Sequence, residues 1–124
     1  MVMNKERVVV IGASNKPGRY SYKAVEALKN AGHDVVPFNP ALREIGGIKV
    51  INDLREISGR VDTVTLYVGP EGLVPMIDAI VGLKPSRIIA NPGTETAEMR
   101  EAAEKAGIIY MEACTLVMLS TDQF

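Results

Sequence analysis

The loop from Gly12 to Gly18 contains the residue types that hold a phosphate group. Gly12 directly follows the β-branched run at residues 8–11, and a glycine lets the backbone turn sharply and approach a ligand without a side-chain clash. The helix expected at residues 19–31 would point its free N–H groups and its positive dipole end at this loop. Lys16 and Arg19 add positive charge. These features indicate a phosphate or pyrophosphate site, with a plain strand-to-helix turn as the alternative.

The loop matches neither of two common phosphate-binding motifs. It lacks the G-x-G-x-x-G spacing, and it lacks the Gly-Lys-Ser/Thr sequence of a Walker loop. The second predicted strand is followed by Asn39-Pro40, where NAD-binding domains carry an acid that accepts hydrogen bonds from the ribose hydroxyls. A phosphorylated ribose suits this edge better than NAD. The available cations, each otherwise a solvated surface charge, are Lys16, Arg19, Lys23 and Arg43.

Cys114 and His33 are the one cysteine and the one histidine of the chain. They exclude a disulfide framework and argue against a Cys/His metal cluster, so we expect no metal site. Cys114 follows the last predicted strand and could act as a nucleophile or form a mixed disulfide. An active thiolate needs a base or a positive charge nearby, and His33 is expected at the opposite edge as a surface residue. We therefore favour Cys114 as a small buried hydrophobe.

The hydrophobic pattern predicts the alternating strands and helices that would position these residues. Strands are predicted at residues 8–11, 34–38, 63–68, 87–90 and 108–111, and helices at residues 19–31, 70–82 and 96–106. The first helix would bury one face, made of Tyr20, Ala24, Val25 and Leu28. The least regular part is predicted at residues 41–60, with a turn at Gly46-Gly47, an extended piece at 48–51 and a helical turn at 53–57.

This alternation predicts an α/β fold with a doubly wound, parallel, five-stranded, Rossmann-like sheet in the order 3-2-1-4-5. Ligands of such sheets bind at the carboxyl ends of the strands, near the point where the strand order reverses. We place that point between the strands at 8–11 and 63–68. The loops at this edge are residues 12–19, 39–43, 68–72 and 91–95. The length of 124 residues predicts one domain spanning residues 1–124.

Composition argues against several classes of protein. Hydrophobic residues make up 47% of the chain and charged residues 23%, which are ordinary globular values. The net charge of −1 gives no field for gripping DNA or an anionic membrane, so we expect neither as a partner. The sequence shows no apolar run of roughly 20 residues and no signal-peptide core at its start. We therefore expect a cytoplasmic protein.

Five short motifs together resemble the CoA-binding domain family, whose members are small Rossmann-like relatives of the CoA-binding domain of succinyl-CoA synthetase. The motifs are Gly12-Ala13-Ser14, Pro17-Gly18-Arg19 with Ser21, Asn39-Pro40, Pro70-Glu71, and Asn91-Pro92-Gly93-Thr94-Glu95. Each motif is weak alone, but their order and spacing cover essentially the whole chain.

The resemblance implies a domain that holds coenzyme A, or an acyl-CoA, through its ADP part. The residues implied for the diphosphate and the other phosphates are Gly12, Ala13, Ser14, Lys16, Pro17, Arg19 and Ser21. Those implied to border the adenosine are Asn39 and Pro40. Those implied for the other side of the adenine and for the pantetheine path are Val68, Gly69, Pro70, Asn91, Pro92 and Gly93.

The residues and the resemblance favour a stand-alone binding or sensor module without catalysis of its own. One alternative is an NAD(P)-binding redox-sensor module, against which the missing acid after the second strand counts. The other is an enzyme that uses Cys114 or Glu95 on a thiol or acyl group, against which the scarcity of acid–base residues at the ligand edge counts. We expect a small-molecule nucleotide ligand as the partner and leave a homodimer or a protein partner open.

Overall fold

The computed structural model describes residues 5–124. Residues 1–4, which belong to the stretch inspected for a signal peptide, lie outside the described residues. Within residues 5–124 the strands are β1 (Arg7–Ile11), β2 (Asp34–Phe38), β3 (Glu44–Ile45), β4 (Ile48–Lys49), β5 (Thr63–Leu66), β6 (Arg87–Ala90) and β7 (Ile109–Glu112). The helices are α1 (Tyr20–Asn30), α2 (Pro70–Leu73), α3 (Ile77–Gly82), α4 (Ala97–Lys105) and α5 (Thr115–Ser120), with 3-10 turns at Leu54–Glu56 and Val74–Met76.

The main sheet is parallel and five-stranded, in the order β2-β1-β5-β6-β7, and it confirms the predicted fold class. β1 lies between β2 and β5, with Val8 opposite Val35 on one side and Thr63 on the other. The point where the strand order reverses is therefore between β1 and β5, as expected. The small strands β3 and β4 form a separate antiparallel hairpin whose turn is Gly46-Gly47.

The order of the strands differs from the prediction in one respect. The expected order 3-2-1-4-5 places the strand after residue 62 beyond β2, whereas β5 pairs with β1. The position beyond β2 belongs to Ile51, which forms a single parallel bridge with Phe38 and donates its N–H to the Pro37 carbonyl, at 2.9 Å. If the Ile51 bridge is counted as the third strand, then β5, β6 and β7 become the fourth, fifth and sixth strands. The order is then 3-2-1-4-5 with β7 added as a sixth strand at the edge.

Helices cover both faces of the sheet, which explains the continuous apolar run of β1. Val8 and Val10 pack in one cluster with Val25 and Leu28 of α1. The alternate residues Val9 and Ile11 pack on the opposite face, with core residues of α2, α3 and α4 that include Leu73, Ile80 and Met99. The loops at the carboxyl ends of the strands are therefore held by a core that is continuous on each side of the sheet.

The helix predicted at residues 70–82 is broken into α2, a 3-10 turn and α3. Pro75 lies in the 3-10 turn, where it has no N–H to donate and its ring would clash with the carbonyl four residues earlier in an α-helix. A second prediction was wrong for Tyr20, which is 70% exposed, while the buried face of α1 is Ser21, Ala24, Val25 and Leu28. None of the helices within residues 5–124 is long and apolar enough to cross a bilayer.

Candidate functional site

The loop after β1 is fastened to the end of β2. The N–H groups of Gly12 and Ala13 both donate to the Phe38 carbonyl, at 3.2 and 3.0 Å. Gly12 has φ +84°, and a Cβ there would lie 2.6 Å from Val68 Cγ2 and 2.8 Å from the Tyr67 carbonyl oxygen. Gly12 is therefore required by packing, and its N–H is already in use. An N–H donor to a phosphate would therefore have to come from further along the loop.

The start of α1 lacks a cap. Its first-turn N–H groups, on Tyr20, Ser21 and Tyr22, have no acceptor within the helix because no earlier turn exists. Arg19 is the N-cap residue without a side-chain cap bond, and the first turn carries no acid. The start of α4 differs, because the Thr96 hydroxyl accepts the Met99 N–H at 3.0 Å and Glu98 follows. An anion at the start of α1 would therefore satisfy groups that the described chain leaves unsatisfied.

Positive charge gathers at the same end of α1. Lys16, Arg19 and Lys23 are all exposed there, and the Lys23 ammonium lies 5.6 Å from the centre of the Tyr20 ring. Cations at a helix N-terminus meet the positive end of the helix dipole, an arrangement that is unfavourable without an anion. The Lys16 N–H donates to Ser14 Oγ at 3.1 Å, which shapes the loop into a turn.

Asn39 joins the first two loops of the predicted edge. Its side-chain amide donates to the Ala13 carbonyl at 2.9 Å, and its Oδ1 accepts the N–H groups of Ala41 and Leu42 at 2.8 and 3.1 Å. The structure thus brings the loops at 12–19 and 39–43 together, as predicted. The amide of Asn39 is occupied by the protein, while the neighbouring Pro40 is exposed.

The residues predicted to contact the adenine and the pantetheine arm lie at the ends of β5 and β6. Val68 is half-buried against Gly12, while Gly69 is the N-cap of α2 and Pro70 its first residue, both exposed. After β6, Pro92 is exposed and Gly93 has φ +92°. The Gly93 N–H donates to the Glu95 carboxylate at 2.9 Å, which gives Glu95 a structural partner within its own loop.

Asn91 holds three elements together with a buried side chain. Its amide donates to Thr65 Oγ1 at 2.7 Å and to the Leu66 carbonyl at 2.8 Å, and its Oδ1 accepts the Thr115 N–H at 2.9 Å. The hydroxyls of Thr65 and Thr115 are 2.8 Å apart. This network fixes the start of α5, and with it Cys114, against the ends of β5 and β6.

A cavity of about 440 Å³ opens beside this network. Its lining is mainly apolar and consists of Tyr20, Tyr67, Asn91, Pro92, Cys114, Leu116 and Val117. The Tyr67 hydroxyl is buried beside Thr65 and Thr115 without a hydrogen-bond partner in the described part of the chain. Burial, and secondarily the neighbouring Cys114, raises the pKa of Tyr67 to about 12.

Cys114 lies at this edge of the sheet, as predicted, but it is only half-buried. The sequence favoured a small buried hydrophobe, and the thiol is buried only in part because β7 ends at Glu112 and the chain then turns into α5, which leaves Cys114 as the N-cap residue at the cavity wall. His33 is remote from it, since its Nδ1 accepts the Glu6 N–H at 3.0 Å beside the start of β1. No imidazole therefore reaches the thiol.

The sequence interpretation missed Tyr20 and Tyr67 as cavity residues. A period of two along β5 could have found Tyr67, because Val64 and Leu66 face one core cluster while the Thr65 and Tyr67 side chains meet on the other face. Tyr20 gives no comparable signal. The spacing from Tyr20 to Ala24 suits the buried face of α1. Tyr20 is nevertheless the first residue of the helix, and its side chain is exposed.

The parallel sheet, with its helices on both faces and its loops at the carboxyl edge, places the chain in the Rossmann-like α/β class. Residues 6–120 match the model of the CoA binding domain family. The chain belongs to this CoA-binding family, which confirms the resemblance of its motifs.

Similar proteins include one of known activity. The chain is 27% identical over 118 residues to the uncharacterized protein YneT of Bacillus subtilis, covering 94% of this chain and 87% of that protein. It is 36% identical over 66 residues to acetate–CoA ligase (ADP-forming) II subunit alpha of Pyrococcus furiosus, covering 52% of this chain and 14% of that protein. A crystal structure of an uncharacterized protein superimposes with a TM-score of 0.92 at 40% identity, covering 98% of this chain and 99% of the other.

Proposed function

We propose that this chain binds coenzyme A or an acyl-CoA through its ADP moiety, with the diphosphate at residues 14–21. The uncapped start of α1, surrounded by Lys16, Arg19 and Lys23, carries this proposal. Free N–H groups, the helix dipole and nearby cations together suit a phosphate group. Family membership and the local similarity to a CoA ligase subunit make coenzyme A the phosphate-bearing ligand of choice.

The residue after β2 supports coenzyme A over NAD. An NAD site uses an acid at this position to accept hydrogen bonds from the ribose hydroxyls. Here Asn39 stands there, and its side chain is already bonded to Ala13, Ala41 and Leu42. The 3′-phosphate of coenzyme A needs no such acceptor and would meet no carboxylate on Asn39.

A binding or sensor role without catalysis is the second part of the proposal. Among the described residues that line the cavity, the titratable side chains are those of Tyr20, Tyr67 and Cys114. Tyr67, with its pKa raised to about 12, stays protonated at neutral pH and offers no phenolate to act as a base. A general acid–base mechanism needs a group whose pKa lies near the working pH, and the lining offers no carboxylate or imidazole for that task.

Calorimetry with a variant that introduces a negative charge tests the site. Ser14→Asp would place a carboxylate where the diphosphate is proposed to lie, and we expect it to weaken CoA binding by about tenfold or more. Ser58→Asp is the matched control, since Ser58 is exposed in another loop, where its carbonyl accepts from Arg7. Retained CoA binding by a folded Ser14→Asp protein would contradict the site, and binding of NAD in place of CoA would contradict the ligand.

A further inference from the structure

The cavity between the start of α1 and the start of α5 is not needed for holding an ADP moiety. We propose that it receives the acyl group of a short, uncharged acyl-CoA, an inference that rests on the proposed function. The volume of about 440 Å³ is within the range of ligand pockets, about 300–1,000 Å³. Since the walls come from residues after β5, β6 and β7, the cavity belongs to the same sheet edge as the proposed phosphate site.

Tyr20 connects the two places. It is the first residue of α1, whose free N–H groups are proposed to hold the diphosphate, and its side chain also lines the cavity. Its ring is 70% exposed, so it stands at the rim and does not belong to the core. A flexible pantetheine arm that starts at the phosphates can therefore fold back past Tyr20 and bring its sulfur end to the cavity.

The chemistry of the wall selects the kind of acyl group. The side chains of Pro92, Leu116 and Val117 are apolar, the Tyr67 phenol is neutral, and the amide of Asn91 already makes its hydrogen bonds within the protein. No charged side chain lines the cavity among residues 5–124. Burial of an alkyl chain against such a surface is favourable, whereas the carboxylate of a dicarboxylic acyl group would lose its hydration without a cationic partner.

Calorimetry with CoA and a series of acyl-CoA thioesters tests this inference. From acetyl-CoA to propionyl-CoA to butyryl-CoA, we expect the affinity to rise by up to about fourfold per added methylene, the factor for a fully buried methylene. Succinyl-CoA, which ends in a carboxylate, is expected to bind more weakly than butyryl-CoA. Equal affinities for CoA, acetyl-CoA and butyryl-CoA would overturn the acyl site while leaving the proposed CoA function intact. Failure of CoA itself to bind would instead overturn the proposed function.

Variants of two valines test whether the preference for longer acyl groups arises in the cavity. Val117 is 56% exposed at the cavity, and Val74 is 49% exposed outside its lining. Val117→Glu should remove the preference for butyryl-CoA over acetyl-CoA, whereas Val74→Glu should preserve the preference. A preference that survives Val117→Glu would overturn the assignment. So would sedimentation showing a dimer that Val117→Glu dissociates, because a second copy of the chain would then cover this surface.

Discussion

Several polar groups whose residue types suggest ligand contact already make hydrogen bonds within the protein. The amides of Asn39 and Asn91 bind backbone and hydroxyl groups of neighbouring loops, and the N–H of Gly12 binds the end of β2. Their residue types predicted the correct edge of the sheet, because the same small polar residues shape tight turns and contact ligands. Sequence cannot separate these two uses, since the partners of Asn91 come from segments about 25 residues away.

At the residue scale, Tyr67 predicts how stability depends on pH. Its pKa is raised from 10.0 to about 12 in the folded chain, so folding favours the protonated phenol. The free energy of unfolding should therefore be constant below pH 10 with respect to this group and fall by about 2–3 kcal/mol as the pH rises from 10 to 12. Urea denaturation across this range measures the loss.

Tyr67→Phe removes this titrating group and should reduce the alkaline loss, leaving the part that comes from Tyr110, whose pKa burial also raises. Tyr20→Phe is the control, because the Tyr20 ring is mostly exposed, and it should leave the loss in place. An alkaline loss of equal size in wild type and in Tyr67→Phe would show that the Tyr67 environment does not set this dependence.

At the scale of elements, the alternating pattern predicted the five main strands and the approximate extents of α1 and α4. These elements have long apolar patterns and clear ends, such as Gly32 and Gly107, which both take positive φ. The prediction of one helix at residues 70–82 was wrong because apolar residues continue at helical spacing on both sides of Pro75. This hydrophobic pattern does not register that Pro75 lacks the N–H group that a continuous α-helix needs. The break is a local backbone effect within an otherwise helical stretch.

In the turn from β1 to α1, we expect alanine to change the free energy of unfolding much more at Gly12 than at Gly18. Gly12→Ala should lower the free energy of unfolding by about 2–4 kcal/mol, because φ is positive and the new Cβ would overlap Val68 and the Tyr67 backbone. Gly18→Ala, with nothing within 4 Å of its added Cβ, should change stability far less. Chemical denaturation compares the two, and equal effects would contradict the packing role assigned to Gly12.

At the scale of the whole molecule, the site exists because the loops after β1, β2, β5 and β6 end on one edge of the sheet. Sequence could predict this edge from the alternation of strands and helices alone. The alternation does not show which neighbour each strand pairs with, and the expected order 3-2-1-4-5 counted the strand at residues 63–68 as the third strand, beyond β2, whereas β5 pairs with β1. The pairing of β5 with β1 and the hydrogen bonds of Ile51 along β2 show which side each segment takes.

The central claim is that the phosphates of coenzyme A bind at the start of α1, and amide NMR of the ¹⁵N-labelled chain titrated with CoA tests it most directly. We expect the N–H signals of Tyr20, Ser21 and Tyr22 to shift most, together with those of the loop at residues 14–18, because the first-turn groups have no acceptor within the helix and would meet the phosphates. Signals of α4, whose start is already capped by Thr96, should stay in place. Shifts confined to the opposite end of the molecule, around Gly59 and Lys84, or no shifts with millimolar CoA, would contradict the account.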